Sequence, residues 1–162
     1  MSSRIGFRFI GKWFSNIMRN MTFRSNINLT SLNIDMTNIP DNFASNQEIR
    51  TLTNLMIGNN VATIGNSAFE SNQLASVTIP NSVTTIGNYA FQNNKLTGVT
   101  IGNGIYSIGK NAFIKDTSGN PNLSSITIDK ECSFINSMSN KYWEADSGIT
   151  IYGSNNEVCY SN

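Results

Sequence analysis

The chain repeats itself about every 22 residues, and this repeat limits its fold more than any other feature. An apolar triplet spaced L-x-x-[VIL]-x-I starts at leucines that are 23, 22, 22 and 27 residues apart, namely Leu29, Leu52, Leu74, Leu96 and Leu123. A sixth, partial copy ends in Ile149 and Ile151. One such unit cannot bury an apolar face alone, so successive copies must stack and cover each other. The repeat therefore predicts a solenoid.

Periodicity within each copy predicts its local structure. Val-Thr-Ile alternates with period two, which predicts a short strand with its Thr facing outward. A second segment, [VI]-x-x-I-G, predicts another short extended piece, and the stretch ending in Ala-Phe suits a tight bend. The inward side chains of the central copies are then Val61, Ile64, Phe69, Val83, Ile86, Phe91, Ile105, Ile108 and Phe113.

Two departures from the repeat carry predictions of their own. Cys132 stands where the central copies have Val61, Val83 and Ile105, which predicts a small buried side chain. The copy after Phe113 is five residues longer. Because insertions in solenoids form loops on one side, residues 114–122 are a candidate contact loop, with an ordinary solvated turn as the alternative.

The motif [IV]-T-I-P-N-S-V-T-T-I-G-x-x-A-F resembles the BspA-like leucine-rich repeat of bacterial surface and secreted proteins. The resemblance covers roughly residues 29–135, with a weaker tail to about 153. It implies a mainly β solenoid of about five to six coils, with a parallel sheet on one face and a cap at each end. It implies no reaction, and its known members look like adhesins and binders of host or matrix proteins.

The family commonly has Cys or Asn between the Phe and the next Leu. Asn72 and Asn94 stand there in this sequence, and we expect both to bond backbone groups of neighbouring turns. The chain then divides into an N-terminal cap or amphipathic basic segment (1–28), the repeat solenoid (29–135), and the last strand with a C-terminal cap (136–162).

The basic N-terminal segment, residues 4–24, supports two interpretations. On a helical wheel Arg4, Arg8, Lys12 and Arg19 share one face, which predicts an amphipathic helix, although RIGFRFI also alternates as a strand does. Such a segment could cap the apolar end of the solenoid. Alternatively it contacts an anionic membrane surface or a partner through Arg4, Arg8, Lys12 and Trp13. In that case the solenoid is a structural spacer attached to a membrane or a larger assembly.

The exposed strand positions predict a recognition face that is flat, uncharged and rich in hydroxyl groups. The candidate partner-binding residues, for a protein or a glycan, are Asn54, Met56, Ser76, Thr78, Thr100, Tyr106, Ser125 and Thr127. Thr also fits half-exposed strands for structural reasons alone. Regular Thr columns occur in ice-binding solenoids too, but only one column is regular here.

Composition argues against most catalytic classes. The chain has no histidine, which removes the usual general base and the commonest metal ligand. No phosphate-binding glycine motif is present. We therefore expect no enzyme activity, no cofactor and no metal site. The net charge of +1 gives no reason to expect a nucleic-acid partner.

Compartment and cysteine state are left open by the sequence. No run of 18 apolar residues and no secretory signal is visible. The resemblance implies a secreted or cell-surface protein, with the cytoplasm or a phage-like assembly as alternatives. Cys159 is expected to be reduced or free, and a Cys132–Cys159 disulfide forms only if the C-terminal segment folds back onto the last coil.

Overall fold

The computed structural model describes residues 30–45, 50–114, 119–138 and 148–161, together with the backbone of 7–10. The elements within these ranges are β1 (Phe7–Ile10), β2 (Ser31–Asp35), β3 (Asn38–Ile39), β4 (Asn54–Ile57), β5 (Thr63–Ile64), β6 (Ser76–Ile79), β7 (Thr85–Ile86), β8 (Gly98–Ile101), β9 (Ser107–Ile108), β10 (Ser125–Ile128), α1 (Cys132–Ser137), β11 (Thr150–Tyr152) and β12 (Val158–Ser161). A 3-10 turn, Ser154–Asn156, precedes β12. Long and short strands alternate from β2 to β10, which confirms the predicted solenoid.

The long strands stack in parallel, one from each coil. β1, β2 and β4 form one run, and β6, β8, β10 and β11 form another. Equivalent residues of successive copies pair directly, as Thr78 does with Thr100 and Thr100 with Thr127. Side chains alternate across a strand, so Val77 and Val99 point inward while the threonines point outward.

The short strands β3, β5, β7 and β9 form a second parallel sheet, with Ile64, Ile86 and Ile108 in register and buried. A glycine follows each of these isoleucines because the coils approach closely at that point. A Cβ atom on Gly87 would lie 2.5 Å from the backbone nitrogen of Asn66 in the preceding coil, so a larger residue has no room there.

The ladder of long strands is interrupted between β4 and β6, and Pro80 explains one end of the interruption. The residue after each long strand usually donates its amide to the preceding coil, as Gly58 does and as Gly102 does to the Ile79 carbonyl at 2.9 Å. Pro80 holds this position after β6 and has no N–H to donate. The Ile57 carbonyl therefore receives no bond from Pro80.

Columns of identical side chains fill the core. Phe43, Phe69, Phe91 and Phe113 form one column with successive ring-centroid distances of 6.2, 5.3 and 5.2 Å, in which the first pair is edge-to-face and the other two pairs are stacked. The leucines that open the copies form a parallel column, and Leu52, Leu74, Leu96 and Leu123 are all 0% exposed. These columns confirm the inward positions read from the repeat.

Buried asparagines tie each coil to its neighbours. The Oδ1 atom of Asn94 accepts the Leu74 amide at 3.1 Å, and its Nδ2 donates to the Phe69 carbonyl at 2.9 Å. Asn72 and Asn120 make equivalent bonds. The prediction for Asn72 and Asn94 is confirmed. Asn120 was missed because the insertion shifts it out of the regular spacing.

A second asparagine ladder runs along the exposed corner of the coils. The side chain of Asp41 accepts the Asn66 amide at 2.7 Å, that of Asn66 accepts the Asn88 amide at 2.8 Å, and that of Asn88 accepts the Lys110 amide at 2.7 Å. Each side chain thus satisfies a backbone donor of the next coil. These two ladders use five of the 26 asparagines in the chain.

The bend before Ala-Phe requires left-handed backbone. Its residue has a φ of 55° at Asn42, 51° at Ser67, 58° at Tyr89 and 56° at Asn111. Asn tolerates this region better than most non-glycine residues, whereas Tyr is disfavoured there. The surrounding repeat therefore imposes a backbone conformation at Tyr89 that is locally unfavourable for a tyrosine.

The C-terminal residues fold back onto the last coil. β12 pairs antiparallel with β11, and Ile151 lies opposite Tyr160. A disulfide joins Cys159 of β12 to Cys132 at the start of α1, with their Cα atoms 4.9 Å apart. The expectation that Cys159 is reduced is therefore wrong.

The predicted burial of Cys132 is also wrong. The repeat spacing assumed another short extended piece, but this segment forms α1, and Cys132 is only half-buried. Ile135, which is 1% exposed, is the buried residue instead. A helix brings every third or fourth residue to one face, so the contact with the core moves along the chain.

The register of the sixth copy differs by two residues from the register that the repeat spacing predicted. Ile151 pairs with Ile126, whereas the repeat spacing placed Ile151 with Ile128. A shift of two leaves the same side chains inward, so hydrophobic alternation does not detect it. As a consequence, Tyr152 is the residue that pairs with Thr127.

The N-terminal segment contains a strand where a helix was predicted. The backbone of Phe7–Ile10 pairs in parallel with β2, with Phe7 opposite Leu32 and Phe9 opposite Ile34. The helix is therefore wrong for these four residues, and the alternation of RIGFRFI was the better guide. The choice between a cap and a membrane or partner contact stays a prediction.

Candidate functional site

The outward side chains of the long strands form two columns. We call these two columns together the outer face. The first column holds Ser31, Asn54, Ser76, Gly98, Ser125 and Thr150, and the second holds Asn33, Met56, Thr78, Thr100, Thr127 and Tyr152. Neighbouring strands in a sheet lie about 4.8 Å apart. Within each of the two paired runs of strands, a column therefore presents chemical groups at a short, nearly constant spacing.

Seven of the eight candidate residues lie together on this face. Asn54, Met56, Ser76, Thr78 and Thr100 are exposed, while Ser125 and Thr127 are half-buried. Met56 is the largest of them and is 58% exposed. These seven side chains carry no formal charge, so hydrogen bonding and contact area are the means by which this part of the face can recognise a partner.

Tyr106 does not belong to the outer face. It lies in the turn before β9, where its amide donates to the Thr84 carbonyl at 2.8 Å, and it is 78% exposed. Tyr106 therefore lies on the side of the solenoid that carries the short strands. The structure separates Tyr106 from the other candidates, and the two surfaces can be tested independently.

The C-terminal end of the outer face has an aromatic and aliphatic pair that sequence reasoning missed. Tyr152 lies beside Thr127 on one side and pairs with Val158 of β12 on the other. Val158 is 55% exposed, and Tyr152 is half-buried. The two-residue error in register concealed Tyr152, and the fold-back of β12 had no signal in the repeat.

The candidates in the basic segment are placed only in part. Arg4, Lys12 and Trp13 lie outside the described residues, and Arg8 falls within β1. Membrane or partner contact through this segment, and a spacer role for the solenoid, stay predictions. Of the insertion loop, residues 115–118 also lie outside the described residues.

Two further features of the described ranges bear on function. No group of three or more His, Cys, Asp or Glu side chains there is arranged to hold a metal ion. None of the helices found in these ranges has the length and apolar character needed to cross a membrane.

The repeat matches a known protein family. A family model described as a BspA type leucine rich repeat region matches residues 15–145 in six copies. No curated protein and no solved structure matches the chain.

Proposed function

We propose that this chain, which belongs to the BspA type leucine rich repeat family, is a non-catalytic binding module that contacts a protein or a glycan through its outer face. Repeats of this kind generally mediate protein binding. The partner we expect is a host or matrix protein, an assembly partner or a glycan, because the face offers hydroxyl and amide groups without charge.

One observation carries the proposal: the outward columns keep register across successive coils from β6 to β11. Thr100 pairs with Thr78 on one side and Thr127 on the other, so three identical side chains form one row. A row of this kind can make the same contact several times, and each contact adds to the total binding energy. Tyr152, a residue type that often dominates binding energy, pairs with Thr127 at the C-terminal end of the row, and Met56 lies on β4 in the coil before Thr78.

The absence of histidine supports a function without catalysis. A Ser-His-Asp or Cys-His arrangement is ruled out by composition, since the chain has no histidine. Both cysteines are joined in the disulfide, so neither serves as a nucleophile. Leucine-rich repeat solenoids generally act as scaffolds.

The disulfide supports a location outside the reducing cytosol. Disulfides persist in secreted and surface proteins and are rare in the cytosol. The Cys132–Cys159 bond therefore favours the surface or secreted location that is common in the family.

The proposal is tested with the full chain against arrays of purified glycans and extracellular matrix proteins. We expect the chain to bind at least one of these probes. Thr100→Arg should weaken that binding about tenfold or more, because it places a long charged side chain in the middle of the row. Dissociation constants from surface plasmon resonance measure the effect.

Tyr106→Arg is the matched control, since it makes an equally large change on the other exposed surface. It should leave the dissociation constant unchanged. Binding that survives Thr100→Arg but is lost in Tyr106→Arg would place the contact on the short-strand side. The absence of binding to every probe would favour the spacer interpretation instead.

A further inference from the structure

The triplet Asn122-Leu123-Ser124 matches the Asn-x-Ser/Thr acceptor sequence for N-linked glycosylation. It is the only such triplet that lies wholly within the described ranges. Its position in the repeat is specific, because Asn122 directly precedes the leucine that opens a copy. Asn28-Leu29-Thr30 holds the same position in the first copy of the sequence.

Asn122 differs from the structural asparagines in its surroundings. It lies in the turn closed by the Leu123 amide, which donates to the Asn120 carbonyl at 3.1 Å, and it is exposed. The side chains of Asn94 and Asn120 are consumed by bonds to neighbouring coils. The side-chain amide of Asn122 has no hydrogen-bond partner among the described residues. A substituent on its Nδ2 atom therefore breaks no contact of the fold.

The hydroxyl residue of the triplet is also compatible with the fold. Ser124 is exposed, and its Oγ donates to the Thr97 carbonyl at 3.0 Å. Thr53 and Thr97 hold the same position in other coils and make the same bond to the preceding coil. Either hydroxyl residue therefore fits at position 124.

We propose that Asn122 is an acceptor for an N-linked oligosaccharide. In the transfer, the Asn122 Nδ2 atom bonds to C1 of the first sugar, and the bond from that C1 to the diphosphate of a lipid-linked donor breaks. The amide loses one proton, and the lipid diphosphate leaves. The Cys132–Cys159 disulfide supports passage through an oxidising compartment of the kind in which this reaction occurs.

A glycan at this point would stand at the corner where the turn enters β10. Ser125, three residues after Asn122, is the first residue of β10 and belongs to the outer face. The oligosaccharide would therefore flank the C-terminal half of that face and leave the half that contains Met56 open. Modification of Asn122 does not depend on the identity of the proposed partner.

The test is secretion of the full chain from a eukaryotic host, followed by peptide mapping with and without peptide N-glycosidase. We expect the peptide that contains Asn122 to carry a glycan, and enzymatic release to convert Asn122 to aspartate. Asn122→Gln and Ser124→Ala should each abolish modification of this peptide, while Ser124→Thr should keep it. Mapping of individual peptides separates this site from the triplets that begin at Asn20 and Asn28.

Lys95→Asn is the matched control. It creates the triplet at the equivalent corner of the neighbouring coil, in front of Leu96 and Thr97. Glycosylation of that variant at position 95 together with an unmodified Asn122 would overturn the proposal. An Asn122 that stays unmodified in a folded, secreted chain would also overturn the proposal if position 95 is unmodified.

Discussion

At the scale of single residues, Phe91 shows how strongly the stack depends on its columns. Its ring lies between those of Phe69 and Phe113, and it is 0% exposed. Phe91→Ala should lower the free energy of unfolding by about 3–5 kcal/mol, because it removes buried surface and leaves a cavity. Thr78→Ala on the exposed face should change it by less than about 0.5 kcal/mol. Unfolding in guanidinium measures both, and equal effects would contradict the assignment of inner and outer columns.

Tyr89 makes the opposite prediction, since it is the least suitable residue at the left-handed corner. Tyr89→Asn should raise the free energy of unfolding by about 0.5–1 kcal/mol, because Asn tolerates a positive φ better than Tyr does. The reciprocal change, Asn111→Tyr, should lower it by a similar amount at the same place in the next coil. Thermal unfolding of the two variants measures the pair, and a stabilising Asn111→Tyr would refute the backbone argument.

At the scale of elements, the disulfide holds the fold-back of β12. It joins Cys132 and Cys159, which are 27 positions apart in the sequence. Loop-closure entropy for that length predicts a loss of about 3.5 kcal/mol when the bond is removed. The double variant Cys132→Ser and Cys159→Ser should show this loss in guanidinium unfolding. A reducing agent should lower the stability of the parent chain to the same level and leave the variant unchanged.

The repeating elements could be predicted from the sequence because each follows from a local pattern. Val-Thr-Ile gave the long strands, and the glycine after Ile64, Ile86 or Ile108 marked the end of each short strand. Elements at the ends were not predictable in this way. The helix α1 replaces a short strand at Cys132, and β12 turns back because of a bond between residues far apart in sequence. A repeat pattern predicts the structure of a coil that has a similar coil on each side. A terminal coil has a similar coil on one side only, so the pattern does not predict its structure.

At the scale of the whole molecule, the solenoid was predictable and the binding surface only in part. Inward positions are fixed by burial, so their pattern recurs in each copy. Outward positions such as Met56 and Tyr152 are free to differ because packing does not constrain them. The sequence thus located the outer face from its inward neighbours. It missed Tyr152 because a register error of two residues leaves the inward pattern intact.

The Cys132–Cys159 bond also determines how the molecule responds to tension. A pull applied to the chain beyond Cys159 passes through the sulfur atoms to Cys132 and bypasses the segment between these two residues. That segment would otherwise extend by roughly 90 Å of contour length, at about 3.4 Å per residue. The load instead reaches the stacked coils directly at the end of β10. A tether built this way stays short until the coils themselves separate.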